Sequence, residues 1–109
     1  MRNFPTEGVF STLDGESVVP DYAVVDVTSD VTLTMNSVHM VDTSTARSLT
    51  LASGSNGKFV ILQDKTRQGG VVTVTRSGSD TIMGDTSLVI NGTDWGLTLV
   101  FAGTDWRIL

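Results

Sequence analysis

Two aspartates near the end of the chain stand in the same four-residue context and could form a carboxylate pair. Gly-Thr-Asp-Trp occurs at Gly92–Trp95 and again at Gly103–Trp106, so Asp94 and Asp105 each precede a tryptophan. Glycoside hydrolases use two carboxylates held across a sugar-binding cleft. A chain of 109 residues has little room for such a cleft, and Asp after Gly-Thr is common in turns, where the carboxylate accepts local backbone N–H groups. We therefore expect two turns rather than a catalytic pair.

The other candidates for chemistry are isolated. His39 is the single histidine, and a general base or metal ligand needs partners, so we predict a half-exposed structural residue on a strand. The segment Gly54–Lys58 resembles a phosphate loop only in part, because the full spacing and the following helix are missing; it predicts a hairpin turn. The chain has no cysteine, which excludes disulfides and thiolate metal sites. We predict no catalytic, cofactor-binding or metal-binding residue, and a protein that is not an enzyme.

The two tryptophans are the remaining candidates for recognition. A pair of exposed indole rings can stack on sugars, which would suit a reader of host-surface glycans. Trp106 begins an apolar segment and Trp95 follows a turn, so we expect both to have structural roles. The residues predicted to lie in the core or at a subunit interface are Trp95, Leu97, Leu99, Phe101, Trp106 and Ile108.

The elements that would position these residues are short strands. From residue 23 onward, apolar and Thr-rich segments alternate with turns rich in Gly, Asn, Asp and Ser, and no segment has helical periodicity. The predicted strands are Ala23–Val27, Val31–Met35, Ser37–Val41, Ser48–Leu51, Lys58–Gln63, Val71–Arg76, Thr81–Met83, Ser87–Ile90, Leu97–Phe101 and Trp106–Leu109. Strands at this spacing predict an all-β domain over residues 23–109: a compact antiparallel β-sandwich, jelly-roll-like, or a small barrel.

Residues 1–22 differ from the rest because their apolar residues follow neither a period of 2 nor one of 3.6. Pro5 and Pro20 disfavour a central strand, so we predict an extended N-terminal arm over 1–22. The alternative is a first hairpin that turns at Asp14-Gly15, a common turn pair. The arm residues expected to be buried against another protein are Phe4, Pro5, Val9, Phe10 and Leu13.

Composition excludes several classes of partner. Only 17% of the residues are charged, the net charge is −5, and the seven Lys and Arg are scattered, whereas nucleic-acid binding needs a clustered basic face. No apolar run approaches the roughly 18 residues of a membrane span, and the first residues lack the apolar segment of a signal peptide. We expect synthesis in a cytoplasm. A surface so poor in charge is either covered by Thr, Ser and Asn or partly buried against other chains.

Residues 41–109 resemble a β-module that is common in the virion proteins of tailed bacteriophages. The residues that carry the resemblance are Val41–Ser44, Ser48–Leu51, Gly57–Asp64, Val72–Thr75, Asp80–Gly84, Leu97–Leu99 and Gly103–Ile108. In that group the module closes with an apolar Thr-rich strand, a Gly turn and a strand that contains Trp. The similarity covers about two-thirds of the chain and lies in its pattern of strands and turns.

The resemblance implies a homotrimer, a place in the virion and synthesis in the cytoplasm of a host bacterium. Similar modules occur in trimeric tail fibres and spikes and in small proteins that decorate or cement capsids. A chain of this size is more similar to a capsid decoration protein, which would lie on the capsid exterior with its arm on the major capsid protein and stabilise the shell against DNA pressure. The alternative is a tail-fibre or tailspike module that contacts a host-surface glycan through its Trp-bearing end.

Overall fold

The computed structural model describes residues 12–13, 16–17 and 22–109. Over these residues the chain is built from strands and turns, so the prediction of an all-β protein is confirmed. In the described part of the chain, no helix is long and apolar enough to cross a membrane.

The strands fall where alternating apolar residues are flanked by turn residues. They are β1 (Thr12–Leu13), β2 (Glu16–Ser17), β3 (Ala23–Val27), β4 (Val31–Thr32), β5 (Ser37–Val41), β6 (Arg47–Thr50), β7 (Phe59–Asp64), β8 (Val72–Thr75), β9 (Thr81–Ile82), β10 (Ser87–Ile90), β11 (Gly96–Ala102) and β12 (Asp105–Ile108). Each of the ten strands predicted from residue 23 onward overlaps one of the strands β3 to β12.

The strands from β3 onward form two mixed sheets, and the chain alternates between them. The six-stranded sheet has the order β3-β5-β7-β11-β12-β9, and the four-stranded sheet has the order β10-β8-β6-β4. Strands β3, β5 and β7 are parallel neighbours, as are β4, β6 and β8. Antiparallel pairs join β7 to β11, β11 to β12 and β8 to β10. The prediction of an antiparallel domain was therefore wrong for β3 to β8, and also for β9 and β12, which pair in parallel.

The parallel pairing arises because each short turn carries the chain into the other sheet instead of back along the same one. The chain thus winds through β3–β4, β5–β6 and β7–β8 as three stacked coils, and the antiparallel strands complete the stack. The coils differ in length: paired residues are 14 positions apart between β3 and β5 (Ala23 and Ser37) and 23 apart between β5 and β7 (Ser37 and Val60).

One hydrophobic core lies between the two sheets. Alternate side chains of β5, β7 and β11 point into it, and those of β6 and β8 meet them from the other sheet, as the period of 2 requires. The buried apolar residues are Val27, Leu33, Val41, Leu49, Leu51, Val60, Leu62, Val72, Val74, Ile82, Ile90, Leu99, Phe101 and Trp106. This packing is consistent with a β-sandwich.

The N-terminal segment is described only in part. Thr12–Leu13 pairs antiparallel with Glu16–Ser17, on either side of Asp14-Gly15 in the sequence, which corresponds to the hairpin alternative. Four of the predicted contact residues, Phe4, Pro5, Val9 and Phe10, lie outside the described residues, and the fifth, Leu13, is described only as a strand residue of β1.

Candidate functional site

Asp94 and Asp105 lie at opposite ends of the longest strand. Asp94 precedes β11, whereas Asp105 pairs with Ala102 at the far end of the same seven-residue strand, so roughly 20 Å of extended chain separates them. The two carboxylates are not a pair.

The prediction that each of these carboxylates accepts backbone N–H groups of its own turn was also wrong. The Asp94 carboxylate accepts from the Arg67 guanidinium at 3.2 Å. That of Asp105 accepts from Gly84 N at 3.0 Å and from Thr81 Oγ1 at 2.6 Å. The hydrogen bond from the Thr81 hydroxyl is the main reason why the pKa of Asp105 is lowered. Asp105 thus ties β12 to the β9 segment.

A buried carboxylate that accepts three hydrogen bonds belongs to Asp64, which the sequence did not single out. Asp64 ends β7 and is 7% exposed. Its Oδ1 accepts from Thr43 Oγ1 at 2.8 Å and from Arg67 N at 2.9 Å, while its Oδ2 accepts from Asp94 N at 2.7 Å. The Thr43 hydroxyl in turn accepts the N–H of Gln68 at 3.1 Å. The cluster joins three separate loops.

The protonation state of Asp64 follows from these contacts. Burial favours the neutral acid, but the hydrogen bonds from Thr43, Asp94 N and Arg67 N outweigh it, so the pKa of Asp64 is lowered. Each carboxylate oxygen is engaged in holding backbone or hydroxyl groups of the protein. Its role is therefore structural. In the described ranges no group of three His, Asp or Glu side chains could hold a metal ion.

His39 is fully buried on β5, so the expectation of a half-exposed residue was wrong. Its Nε2 accepts the N–H of Thr34 at 3.0 Å, and its Nδ1 lies 3.1 Å from the carbonyl oxygen of Ile61. A carbonyl can only accept and a backbone amide can only donate, so the neutral ring carries its proton on Nδ1. Burial lowers the pKa of His39. The imidazole joins the loop before β5 to strand β7.

The segment Gly54–Lys58 contains a turn, and the backbone amides of Gly54, Gly57 and Lys58 already have acceptors. Lys58 N donates to Ser55 O at 3.0 Å, as a tight turn requires, and Gly57 has a φ of 89°. Gly54 N donates to the carboxylate of Asp80 at 2.9 Å. An acidic side chain occupies the place at which a phosphate would need a free amide, so an anion site does not fit the geometry. The turn links β6 of the four-stranded sheet to β7 of the six-stranded sheet, so the prediction of a hairpin was wrong.

The predicted core and interface residues divide between the inside and the outside of the fold. Leu99, Phe101 and Trp106 are buried, and the rings of Phe101 and Trp106 meet edge to face at 5.2 Å. Trp95 and Leu97 are partly buried and pack against the core. Ile108 is 45% exposed. The indole N–H groups of both tryptophans are buried and have no acceptor among the described residues.

The outer face of the six-stranded sheet is a candidate contact surface. We define the outer apolar face as two rows of side chains that point away from the core. One row follows the strand register from Val24 through Val38 and Ile61 to Thr98, and the other runs from Phe59 to Val100. The ring of Tyr22 meets Phe59 edge-on at 5.3 Å and extends the second row. The members of this face are Tyr22, Val24, Val38, Phe59, Ile61, Thr98, Val100 and Leu109.

A groove of about 330 Å³ lies on this face, lined by Tyr22, Phe59, Ile61, Thr98, Val100 and Leu109. Charged side chains lie only at its borders: Asp26, which pairs with Lys65 at 3.0 Å, follows Val24 along β3, and Arg107 lies beside Val100. The site is suited to apolar contact, and the hydroxyl groups of Tyr22 and Thr98 are the polar side-chain groups among its lining residues. The period of 2 in β7 and β11 would have identified the outward apolar residues had both faces of each strand been considered.

Comparison with known proteins adds no assignment. No family model matches the chain, and no curated protein is a significant match to it.

Proposed function

We propose that this chain is a virion structural protein of a tailed bacteriophage that decorates the outside of the head. In this proposal it binds the major capsid protein as a homotrimer and bridges neighbouring capsid subunits. Binding to the assembled shell and not to its dissociated subunits adds the binding free energy to the stability of the shell. Several weak contacts per trimer are sufficient, because contacts that act together multiply the effective affinity.

The observation that carries the proposal is the contrast between the polar and the apolar groups of the fold. Asp64, Asp105 and His39 are each engaged in holding loops and strands together, whereas the outer apolar face is open. Such a distribution favours a protein that acts by contact with other proteins. The resemblance of residues 41–109 to phage virion modules supports the same class, and it supplies the capsid as the partner.

The tail-fibre alternative depends on an exposed indole ring, and the position of Trp95 argues against it. Trp95 packs against the core and its Nε1 is buried, so little of the ring is available to stack on a sugar. The Trp-bearing turns are better explained as parts of the scaffold.

Counting the copies in purified virions tests the proposal. Quantitative mass spectrometry should find hundreds of copies per particle, and cryo-electron microscopy should place them over the head. Tens of copies or fewer at one vertex would assign the chain to the tail, and absence from the particle would refute both.

A second experiment tests the role of the N-terminal segment. Substituting Phe4 and Phe10 by serine in the full chain should abolish binding to heads that lack the protein and leave thermal unfolding unchanged. A double substitution at Thr50 and Thr75, exposed residues of the four-stranded sheet, to alanine is the control and should still bind. Unchanged binding by the Phe4 and Phe10 variant would remove the arm from the mechanism.

A further inference from the structure

We propose that the outer apolar face of the six-stranded sheet is the surface through which copies of this chain associate with one another. The inference goes beyond the homotrimer of the proposed function, because a face that is complementary to itself joins copies in pairs. It can fail separately from phage binding, because self-association is measured on the purified chain alone.

The first argument is the amount of apolar surface on this face. Leu109 is 84% exposed, Val24 67% and Tyr22 44%, and the other members of the face are partly buried. With about 150–200 Å² for each large side chain, roughly 500 Å² of apolar surface is accessible, a size at which patches are often functional. Two such faces in contact would remove about 1,000 Å² from water, which is the lower limit for a specific interface.

The second argument is shape. The groove between Phe59, Ile61 and Val100 is a hollow, and Leu109 and Tyr22 project at its border. Each copy therefore carries an apolar projection and an apolar hollow on one face. A surface with both can be complementary to itself, which is the requirement for a two-fold contact between identical chains. Sheets packed face to face interdigitate side chains in this way at a spacing of about 10 Å.

The third argument is charge. The chain has a net charge of −5, so copies repel one another at long range, and a contact surface without charges of its own adds least to that repulsion. The interior of the outer apolar face carries no charged side chain, and Asp26 and Arg107 at its borders have opposite signs. A strongly basic or acidic partner would find no complementary charge there. The face is matched to another neutral apolar surface, and a second copy provides one.

The size of the interface predicts weak association. An area near the lower limit, with no buried ion pair, is typical of dissociation constants in the micromolar range or weaker. Free protein would then associate only at high concentration, and copies held close together on a surface would associate fully.

Sedimentation velocity of the full chain from about 1 µM to about 500 µM tests the proposal, since this range brackets the affinity expected of so small an interface. Wild-type protein should associate reversibly over this range. Val24→Asp combined with Leu109→Asp should weaken association at least tenfold, because each contact would then bury four carboxylates, two from each copy, without partners. Both positions are highly exposed, so the thermal unfolding midpoint should stay within a few degrees of wild type.

The matched control is Val89→Asp. Val89 is 52% exposed on the outer side of the four-stranded sheet, where it pairs with Thr73, so the same substitution at a similar exposure lies outside the proposed interface. Association of this variant should equal that of wild type. A chain that stays monomeric throughout, or association that survives the double substitution and is lost in Val89→Asp, would overturn the proposal.

Nuclear magnetic resonance on this 11.6 kDa chain gives a second, residue-level readout. On dilution, chemical shifts should change for Val38, Ile61, Thr98 and Val100 and stay constant on the four-stranded sheet. Concentration-independent contacts between this face and residues 1–21 of the same chain would show that the N-terminal segment covers it, and would contradict the assignment to a second copy.

Discussion

Replacing Asp64 by asparagine isolates the hydrogen bonds that hold three loops at the end of β7. Asparagine has nearly the size of aspartate, but only one of its two terminal atoms accepts a hydrogen bond. Arg67 N donates to one carboxylate oxygen and Asp94 N to the other. Whichever way the introduced side-chain amide is turned, one of these backbone N–H groups faces an NH₂ group and is left unsatisfied.

The cost follows from the number and kind of bonds that change. A hydrogen bond to a charged group contributes about 1.5–3 kcal/mol, and in Asp64→Asn one such bond is lost while the others become neutral. We therefore expect the free energy of unfolding to fall by about 2–4 kcal/mol. In a domain of this size each kcal/mol lowers the unfolding midpoint by about 4–8 °C, so the midpoint should fall by roughly 10–25 °C.

Urea denaturation at pH 7 measures the loss, and Asp26→Asn provides the matched control. Asp26 forms an exposed ion pair with Lys65 at 3.0 Å, and pairs of this kind contribute about 1 kcal/mol or less. The same chemical change at the two sites should thus have clearly different effects. Equal losses would refute the assignment of Asp64 as the residue that joins the loops.

The difference in free energy of unfolding between wild type and Asp64→Asn should depend on pH, which provides a further check. The pKa of Asp64 is lowered in the folded state, so the stability contributed by its carboxylate is present above the unfolded-state pKa of about 4 and is lost as pH falls through the lowered value. The gap in stability between wild type and Asp64→Asn should therefore narrow in acid. A gap that is constant from pH 7 to pH 2 would contradict the ionised state of Asp64.

Two further predictions concern His39 and the close approaches of glycine. Because burial lowers the pKa of His39, its neutral ring stabilises the fold above about pH 6.5 and the contribution is lost as pH falls through the lowered pKa. In His39→Leu the free energy of unfolding, measured by urea denaturation, should be lower by about 2–4 kcal/mol at pH 7. It should also depend less on pH in acid than that of wild type. A pH dependence identical to that of wild type would count against the buried imidazole. Gly54→Ala should cost about 1–3 kcal/mol, since the added Cβ would overlap the ring of Phe101. Gly96→Ala, whose Cβ meets only the exposed side chain of Gln63, should cost less than about 1 kcal/mol, and equal thermal shifts for the two variants would refute the packing argument.

The strands were predictable because their signal is local. Val72–Thr75 alternates apolar and Thr residues. The predicted strand Ser48–Leu51 is followed by Ser53–Gly57, whose residues tolerate turns. Three strands, β3, β5 and β10, have the predicted bounds. Side-chain alternation and turn residues are properties of a few consecutive residues, and sequence records them directly.

The pairing of the strands was not predictable in the same way. A strand with one buried face shows the same alternation whether its neighbours are parallel or antiparallel. Repeated coils would have been visible at a constant period, but paired positions are 14, 23, 18 and 25 residues apart, as in Ala23–Ser37, Ser37–Val60, Val31–Leu49 and Arg47–Val72. With no constant period, internal self-similarity does not reveal the stack.

The structural roles of His39 and Asp64 were hidden for a related reason. Each has one partner close in sequence, Thr34 for His39 and Arg67 for Asp64. The other partners lie 22 positions away at Ile61, 21 away at Thr43 and 30 away at Asp94. The sequence shows a lone histidine and an ordinary aspartate at the end of an apolar segment. Only the stacking of coils brings the carbonyl of one strand and the loops of two others within reach of these side chains.

The same stacking creates the outer apolar face, and this connects the topology to the proposed function. If consecutive strands paired as hairpins, Val24 on β3 and Val38 on β5 would be separated by the intervening strand. In the parallel stack Val24, Val38 and Ile61 become direct neighbours across three coils. One apolar residue per coil, ordinary in each segment, is thereby gathered into a continuous surface. A surface assembled in this way has no single residue on which binding depends, so its affinity should decline in steps as charges are added along the rows, as expected of a protein that acts by extended contact rather than by chemistry at one site.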